Sequence, residues 1–191
     1  MLLGAYNSNA QYVTIPDTVF VNWLNANGFS GCMNGDQLNT TCSAVLTATN
    51  IYCNGVYIKN LTGIQYFNSL KYLDCSSNLL HSLPVLPDSL ISLTCSGNPL
   101  YALTNLPANL QHLICSSDSL AAFPNLPGGI LYLDCGGNQF TSIPVLPPSL
   151  SYLTCTYEPL TSLPTLPSTL VYLLCFNDQL TSLPAIPDSV T

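Results

Sequence analysis

The sequence predicts a right-handed solenoid of short parallel β-strands, with an extended, helix-free return side and a small helical cap at its N-terminal end. Three observations predict it: aliphatic residues recurring every 20 positions, a cysteine column in step with them, and a pair of prolines at fixed places in most periods. Stacked repeats produce such columns because each coil can bury its apolar side only against its neighbours.

The strand comes first. Leu70, Leu90, Leu110, Ile130, Leu150, Leu170 and Val190 open each period, followed by Leu73 to Leu173 and by Cys75, Cys95, Cys115, Cys135, Cys155 and Cys175. Leu73 and Cys75 lie two apart and share one side of a strand, whereas Tyr72 and Asp74 point to the other. Six such strands, spaced about 4.8 Å, would form a sheet roughly 25 to 30 Å long. The next columns run from Leu80 to Leu180, from Leu83 to Leu183 and from Leu86 to Ile186. In Leu83-Pro84-Val85-Leu86-Pro87 the two prolines exclude a helix and favour polyproline-II backbone, and most later coils repeat the pattern.

Written out, the unit is L-x-x-L-x-C-x-x-N-x-L-x-x-L-P-x-L-P-x-x, which resembles the leucine-rich repeats over about residues 46 to 191. The resemblance implies an asparagine ladder at Asn78, Asn98 and Asn138 and a binding surface on the concave sheet. Asp118, Glu158 and Asp178 depart from the ladder. An ionised carboxylate only accepts hydrogen bonds, so those turns should be looser or differently bonded. The short two-proline unit is similar to repeats of bacterial secreted proteins, type III secreted effectors among them.

Residues 11 to 50 are assigned to the cap, and residues 51 to 191 to one 22-residue repeat followed by 20-residue repeats, with no C-terminal capping segment. Ile15-Pro16-Asp17 opens a helix that places Phe20 and Leu24 on one face beside Trp23, and Asn27-Gly28 closes it. This opening, followed by Leu61-Thr62-Gly63-Ile64 and Tyr72-Leu73-Asp74-Cys75-Ser76, resembles secreted surface leucine-rich-repeat proteins of Bacteroidetes. Asn34-Gly35-Asp36 stands where that group often carries a calcium-loop-like run, but too few carboxylates surround it for a calcium site. Residues 1 to 10 read as the remnant of a secretory signal or as vector residues, with Ser8-Asn9-Ala10 at a peptidase-like spacing.

Seven of the nine cysteines, Cys53 included, fall in the inward column, leaving Cys32 and Cys42 as a disulfide across a short polar loop. Closing a loop of about 11 residues contributes on the order of 3 kcal/mol. Parallel strands set the column's Cβ atoms side by side rather than facing, and no Cys-x-x-Cys pairs or partnered histidines accompany them. The column therefore reads as buried thiols, with no metal and no cofactor.

On the open face one column reads Tyr72, Ser92, His112, Tyr132, Tyr152, Tyr172, and the next reads Asp74, Thr94, Ile114, Asp134, Thr154, Leu174. Tyr157 and Phe176 lie just past the strands. The candidate binding residues are Tyr72, Asp74, His112, Tyr132, Asp134, Tyr152, Tyr157, Tyr172 and Phe176. Consecutive tyrosines suit stacking on a sugar or packing on a partner protein; equally, aromatic residues simply favour strands and stack on neighbours. A near-repeat every 60 residues, with Pro99 matching Pro159, points to an ancestral three-coil duplication.

Catalysis is not expected. His81 and His112 are the only histidines, no residues form a triad, and Asp74 and Asp134 stand about 14 Å apart, beyond paired-carboxylate reach. Lys59 and Lys71 are the only basic residues against a net charge of −7, which excludes nucleic acid and anionic lipid as partners. No apolar run reaches the length of a spanning helix, so membrane insertion is not expected. Asp17-Thr18-Val19, Asp88-Ser89-Leu90, Asp118-Ser119-Leu120 and Asp188-Ser189-Val190 match a Bacteroidetes O-glycosylation pattern, and Asn39-Thr40-Thr41 and Asn60-Leu61-Thr62 are N-glycan sequons. The expected function is a secreted or cell-surface recognition or adhesion scaffold binding a protein or glycan on its concave face. A passive stalk or filament element, self-associating through the uncapped C-terminal end, and a secreted effector binding a host protein are the alternatives.

Overall fold

The computed structural model describes residues 11–190, so the signal or vector reading of residues 1 to 10 lies outside the described residues. Coil after coil contributes one three-residue strand: β4 (Asn50–Tyr52), β5 (Tyr72–Asp74), β6 (Ser92–Thr94), β7 (His112–Ile114), β8 (Tyr132–Asp134), β9 (Tyr152–Thr154) and β10 (Tyr172–Leu174). They form one seven-stranded parallel sheet in sequential order, which is the leucine-rich-repeat solenoid. Six strands were expected. The seventh, β4, belongs to the longer first coil, whose two extra residues are absorbed beyond the strand so that Ile51 still pairs with Leu73.

Register is strict because the period has no insertions: Leu73, Leu93, Leu113, Leu133, Leu153 and Leu173 are successive Cα partners. A slip of one residue would turn every leucine outward. Inside, Leu70, Leu90, Leu110, Ile130, Leu150 and Leu170 are fully buried, with Leu80, Leu100, Leu120, Phe140 and Leu160 beneath the turns. The return segments carry no helix from Leu83 onward, as their prolines require, and Val85 and Val145 point to solvent.

The turn after each strand is held by the ladder. Asn98 accepts the Leu80 N–H on Oδ1 at 3.0 Å and donates from Nδ2 to the carbonyls of Cys95 (2.7 Å) and Cys75 (3.1 Å). Asn78 and Asn138 make the corresponding bonds. Asp118 and Asp178 are differently bonded, as their chemistry requires. Each accepts a single backbone N–H, from Asn98 and Glu158 respectively, and leaves its buried Oδ2 without a partner. Glu158, one methylene longer, reaches two N–H groups, those of Asn138 (2.6 Å) and Phe140 (2.8 Å). Its turn is therefore tied rather than loose.

Beside the ladder, Cys53, Cys75, Cys95, Cys115, Cys135 and Cys155 are buried free thiols, and Cys175 is half-buried. Burial pushes the Cys53 thiol up to about 12 and holds Cys75, Cys95, Cys115 and Cys135 well above the usual range, with neighbouring thiols and carboxylates adding to the effect. Such thiols pack as small apolar groups and are poor nucleophiles.

At the N-terminal end the cap contains the expected helix, α1 (Thr18–Leu24), with Phe20 and Leu24 fully buried. The chain turns on to Asn27-Gly28, where Gly28 takes φ +94° and ends the helical path. Asp17 performs two tasks: Oδ1 caps α1 through the N–H groups of Val19 and Phe20, and Oδ2 accepts those of Lys59 (2.6 Å) and Asn60 (2.9 Å). One carboxylate thus ties the cap to the first coil. Gly63, at φ +114°, packs directly against Ile15, where a side chain has no room.

The cap is more than helical. A three-stranded antiparallel sheet, in the order β1 (Tyr12–Thr14), β3 (Gln37–Asn39), β2 (Met33–Asn34), and a short helix α2 (Ser43–Thr47) complete it. Strands of two or three residues are too short to show alternation, which is why they escape a sequence reading. Asn34-Gly35-Asp36 lies at the tight β2–β3 turn, with Gly35 at φ +63°. Cys32 and Cys42 form the expected disulfide, Cα atoms 5.5 Å apart.

Candidate binding face

Because strand residues alternate sides, the first and third residues of β5 to β10 line the concave face, while the middle leucine enters the core. Parallel in-register pairing then sets each first residue beside its counterpart one coil on, in the order Tyr72, Ser92, His112, Tyr132, Tyr152, Tyr172. Tyr72, Tyr152 and Tyr172 are each about 40% exposed or more, specifically 44%, 44% and 40%.

The rings form a continuous stack over four coils. His112 to Tyr132 is 6.2 Å between centroids at 25°, Tyr132 to Tyr152 is 5.9 Å at 28°, and Tyr152 to Tyr172 is 5.9 Å at 31°. The row offers a partner a continuous aromatic strip, on which Tyr152 and Tyr172 are well exposed. Burial, with the nearby Asp134 charge and Tyr172, raises the Tyr132 phenol above its usual range, keeping it a hydrogen-bond donor.

Beside the rings runs the second column. Asp74 Oδ1 accepts the N–H and hydroxyl of Ser76 at 3.0 and 2.6 Å. Asp134 accepts the Gly136 N–H at 3.3 Å; burial raises its carboxyl, and bonds from Gly136 and Ser116 oppose that. Three strand spacings separate the two carboxylates, since β6 and β7 lie between β5 and β8. Tyr157 and Phe176 meet edge to face at 5.2 Å and 74°, flanking the C-terminal side of the sheet. The candidate aromatic residues therefore concentrate in the C-terminal half of the face, around Tyr132, Tyr152, Tyr172 and Phe176, while one carboxylate stands in each half, Asp74 on β5 and Asp134 on β8.

Sequence reasoning missed one feature of Tyr157. Ser77, Gly97, Ser117, Gly137, Tyr157 and Asn177 all take positive φ, between +53° and +69°, one in each turn after the strand. Glycine, asparagine and serine tolerate that region better than a bulky residue does. A tyrosine in a column of glycine, serine and asparagine was the available signal.

Among the described residues no group of histidines, cysteines and carboxylates could hold a metal ion, and no helix is long and apolar enough to cross a membrane. No family profile and no curated protein sequence matches the chain. Solved structures do. The chain is similar to YopM from Yersinia enterocolitica WA-314, at 33% identity and TM-score 0.73 over 76% of this chain and 32% of that one. It is similar to the functional domain of InlJ from Listeria monocytogenes, described as including a cysteine ladder, at 25% identity and TM-score 0.76 over 92% of this chain and 40% of that one. A Shigella effector leucine-rich-repeat domain matches at 27% identity and TM-score 0.67, over 72% of this chain and 62% of that one. The chain spans less than two thirds of each of these proteins.

Proposed function

We propose that the chain is an extracellular, non-enzymatic recognition scaffold that engages a protein partner through its concave face. The observation that carries this reading is the row from His112 to Tyr172, a continuous aromatic strip with phenol hydroxyls on the concave face of a parallel sheet. Tyrosine supplies large contact area at small entropic cost, and its hydroxyl finds partners at a wet interface. The leucine-rich-repeat character of the similar structures favours a protein over a glycan as the partner. The Cys32–Cys42 bridge supports a location outside the reducing cytosol, on the cell surface or secreted for adhesion. Effectors among the similar proteins keep delivery into a host cell as a second location for the same binding role. Substituting Tyr132, Tyr152 and Tyr172 together by serine and screening extracellular protein and glycan arrays tests the reading. Loss of the protein ligands bound by the unsubstituted chain supports it; unchanged binding overturns it.

A further inference from the structure

The aromatic column is interrupted at one place. Ser92 pairs with Tyr72 on one side and His112 on the other, so the first concave position of β6 carries no ring. Elsewhere in the column Tyr152 occupies the corresponding space, 5.9 Å from both Tyr132 and Tyr172. Two strand spacings separate the Tyr72 and His112 positions, about 9.6 Å, and a planar group in van der Waals contact on both sides requires about 7–8 Å. The gap has room for one flat group, as other coils place a ring at this position.

Its surroundings are acidic. Asp74 stands on the same face of β5, two residues past Tyr72 and beside Thr94. Its hydrogen bonds within the described residues both end on Oδ1, from the Ser76 N–H and hydroxyl, leaving Oδ2 available. Lys59 and Lys71 are the only basic residues to oppose a net charge of −7.

We propose that the gap over Ser92 receives an arginine side chain of the protein partner, its guanidinium stacked between Tyr72 and His112 and paired with Asp74. This rests on the concave face being the binding surface and names the group it would recognise there. Arginine meets each constraint: its head is planar and stacks on aromatic rings, its charge faces a carboxylate, and its weak hydration makes the transfer inexpensive. A lysine ammonium carries the charge but cannot fill a slot as a flat group. A phenyl ring fills it but buries the free Asp74 oxygen against hydrocarbon without a hydrogen bond. The protein's negative charge also attracts a basic partner at long range, most strongly at low salt.

The test is an NMR titration of the full chain with N-acetyl-arginine methylamide, following the ring resonances of Tyr72 and His112, with the lysine, citrulline and phenylalanine analogues run in parallel. Saturable movement with the arginine compound, at least about threefold weaker in Asp74→Asn as an exposed ion pair allows, is expected. Ser92→Tyr should abolish it while restoring the residue that other coils carry at this position. Equal movement with the lysine or phenylalanine analogue, no movement with arginine, or undiminished binding in both Ser92→Tyr and Asp74→Asn would overturn the proposal. Failure here, with array ligands still lost on tyrosine substitution, removes the arginine slot and leaves the binding face standing.

Discussion

Asp118 Oδ1 accepts the backbone N–H of Asn98 at 2.7 Å, while its Oδ2 lies buried with no hydrogen-bond partner. An asparagine at this position would be the same shape but would donate to carbonyls, as Asn98 does to those of Cys75 and Cys95. The carboxylate has no proton to give, so it turns to an N–H instead. Burial pushes the Asp118 carboxyl up to about 7, the Asn98 N–H opposing it. The folded state therefore holds this proton more tightly than the unfolded chain, whose aspartate titrates near ~3.9. The resulting stability is complete below that value and is lost as pH rises through about 7. Asp118→Asn should raise stability at pH 8 by about 1–2 kcal/mol, a value discounted for the residue's partial exposure, and should flatten the decline between about pH 4 and 7. Urea unfolding of both proteins across that range measures it; a variant no more stable at pH 8 would contradict the account.

The asparagine ladder should be far less forgiving. Asn98→Ala removes one accepted and two donated bonds and leaves the Cys75 and Cys95 carbonyls and the Leu80 N–H without this partner. At about 1 kcal/mol for each bond, the variant should lose about 3 kcal/mol, read as a lower urea midpoint. A loss below about 1 kcal/mol would mean that water replaces the amide.

Tyr157 holds φ +60° and is 59% exposed as a residue. Tyr157→Gly, the residue found at Gly97 and Gly137, should stabilise the fold by about 1 kcal/mol by relieving the left-handed backbone. The same change should weaken partner binding if the Tyr157–Phe176 pair belongs to the recognition surface. Thermal unfolding together with array binding separates strain from function, because only a binding residue shows opposite signs in the two measurements.

The nine cysteines should divide into three chemical classes. In the folded protein Ellman's reagent should react with Cys175 alone, since it is half-buried and the other six free thiols are buried, and unfolding should release all seven. Burial first, and the Asp178 charge second, raise the Cys175 thiol, so its reaction should quicken toward alkaline pH. Replacing Cys32 and Cys42 by serine should cost roughly 2–4 kcal/mol, mainly by freeing the unfolded chain. Rapid labelling of several thiols in the folded state would contradict the close packing of the column.

The repeat made the solenoid legible without coordinates: one substitution pattern, kept in phase for over a hundred residues, admits only coils stacked in register. It also assigned Leu73 and Cys75 inward and Tyr72 and Asp74 outward, because alternation along a strand is a local property. The disulfide followed from removing the column's cysteines from the count. The cap's small sheet was illegible, since Met33 and Asn34 pair with only two residues across a tight turn, and β1 joins β3 through distant pairs such as Val13 with Leu38, neither of which leaves a period.

From the sequence alone came the architecture and the two faces, both consequences of spacing that hold in any coil. Tertiary structure alone decided how equivalent positions differ. It set the rings from His112 to Tyr172 in one row, 5.9 to 6.2 Å between successive centroids, and it left Asp118 with an oxygen no neighbour satisfies. Such features depend on the distances and orientations between successive coils, and a one-dimensional pattern specifies which residues become neighbours but not how their side chains meet.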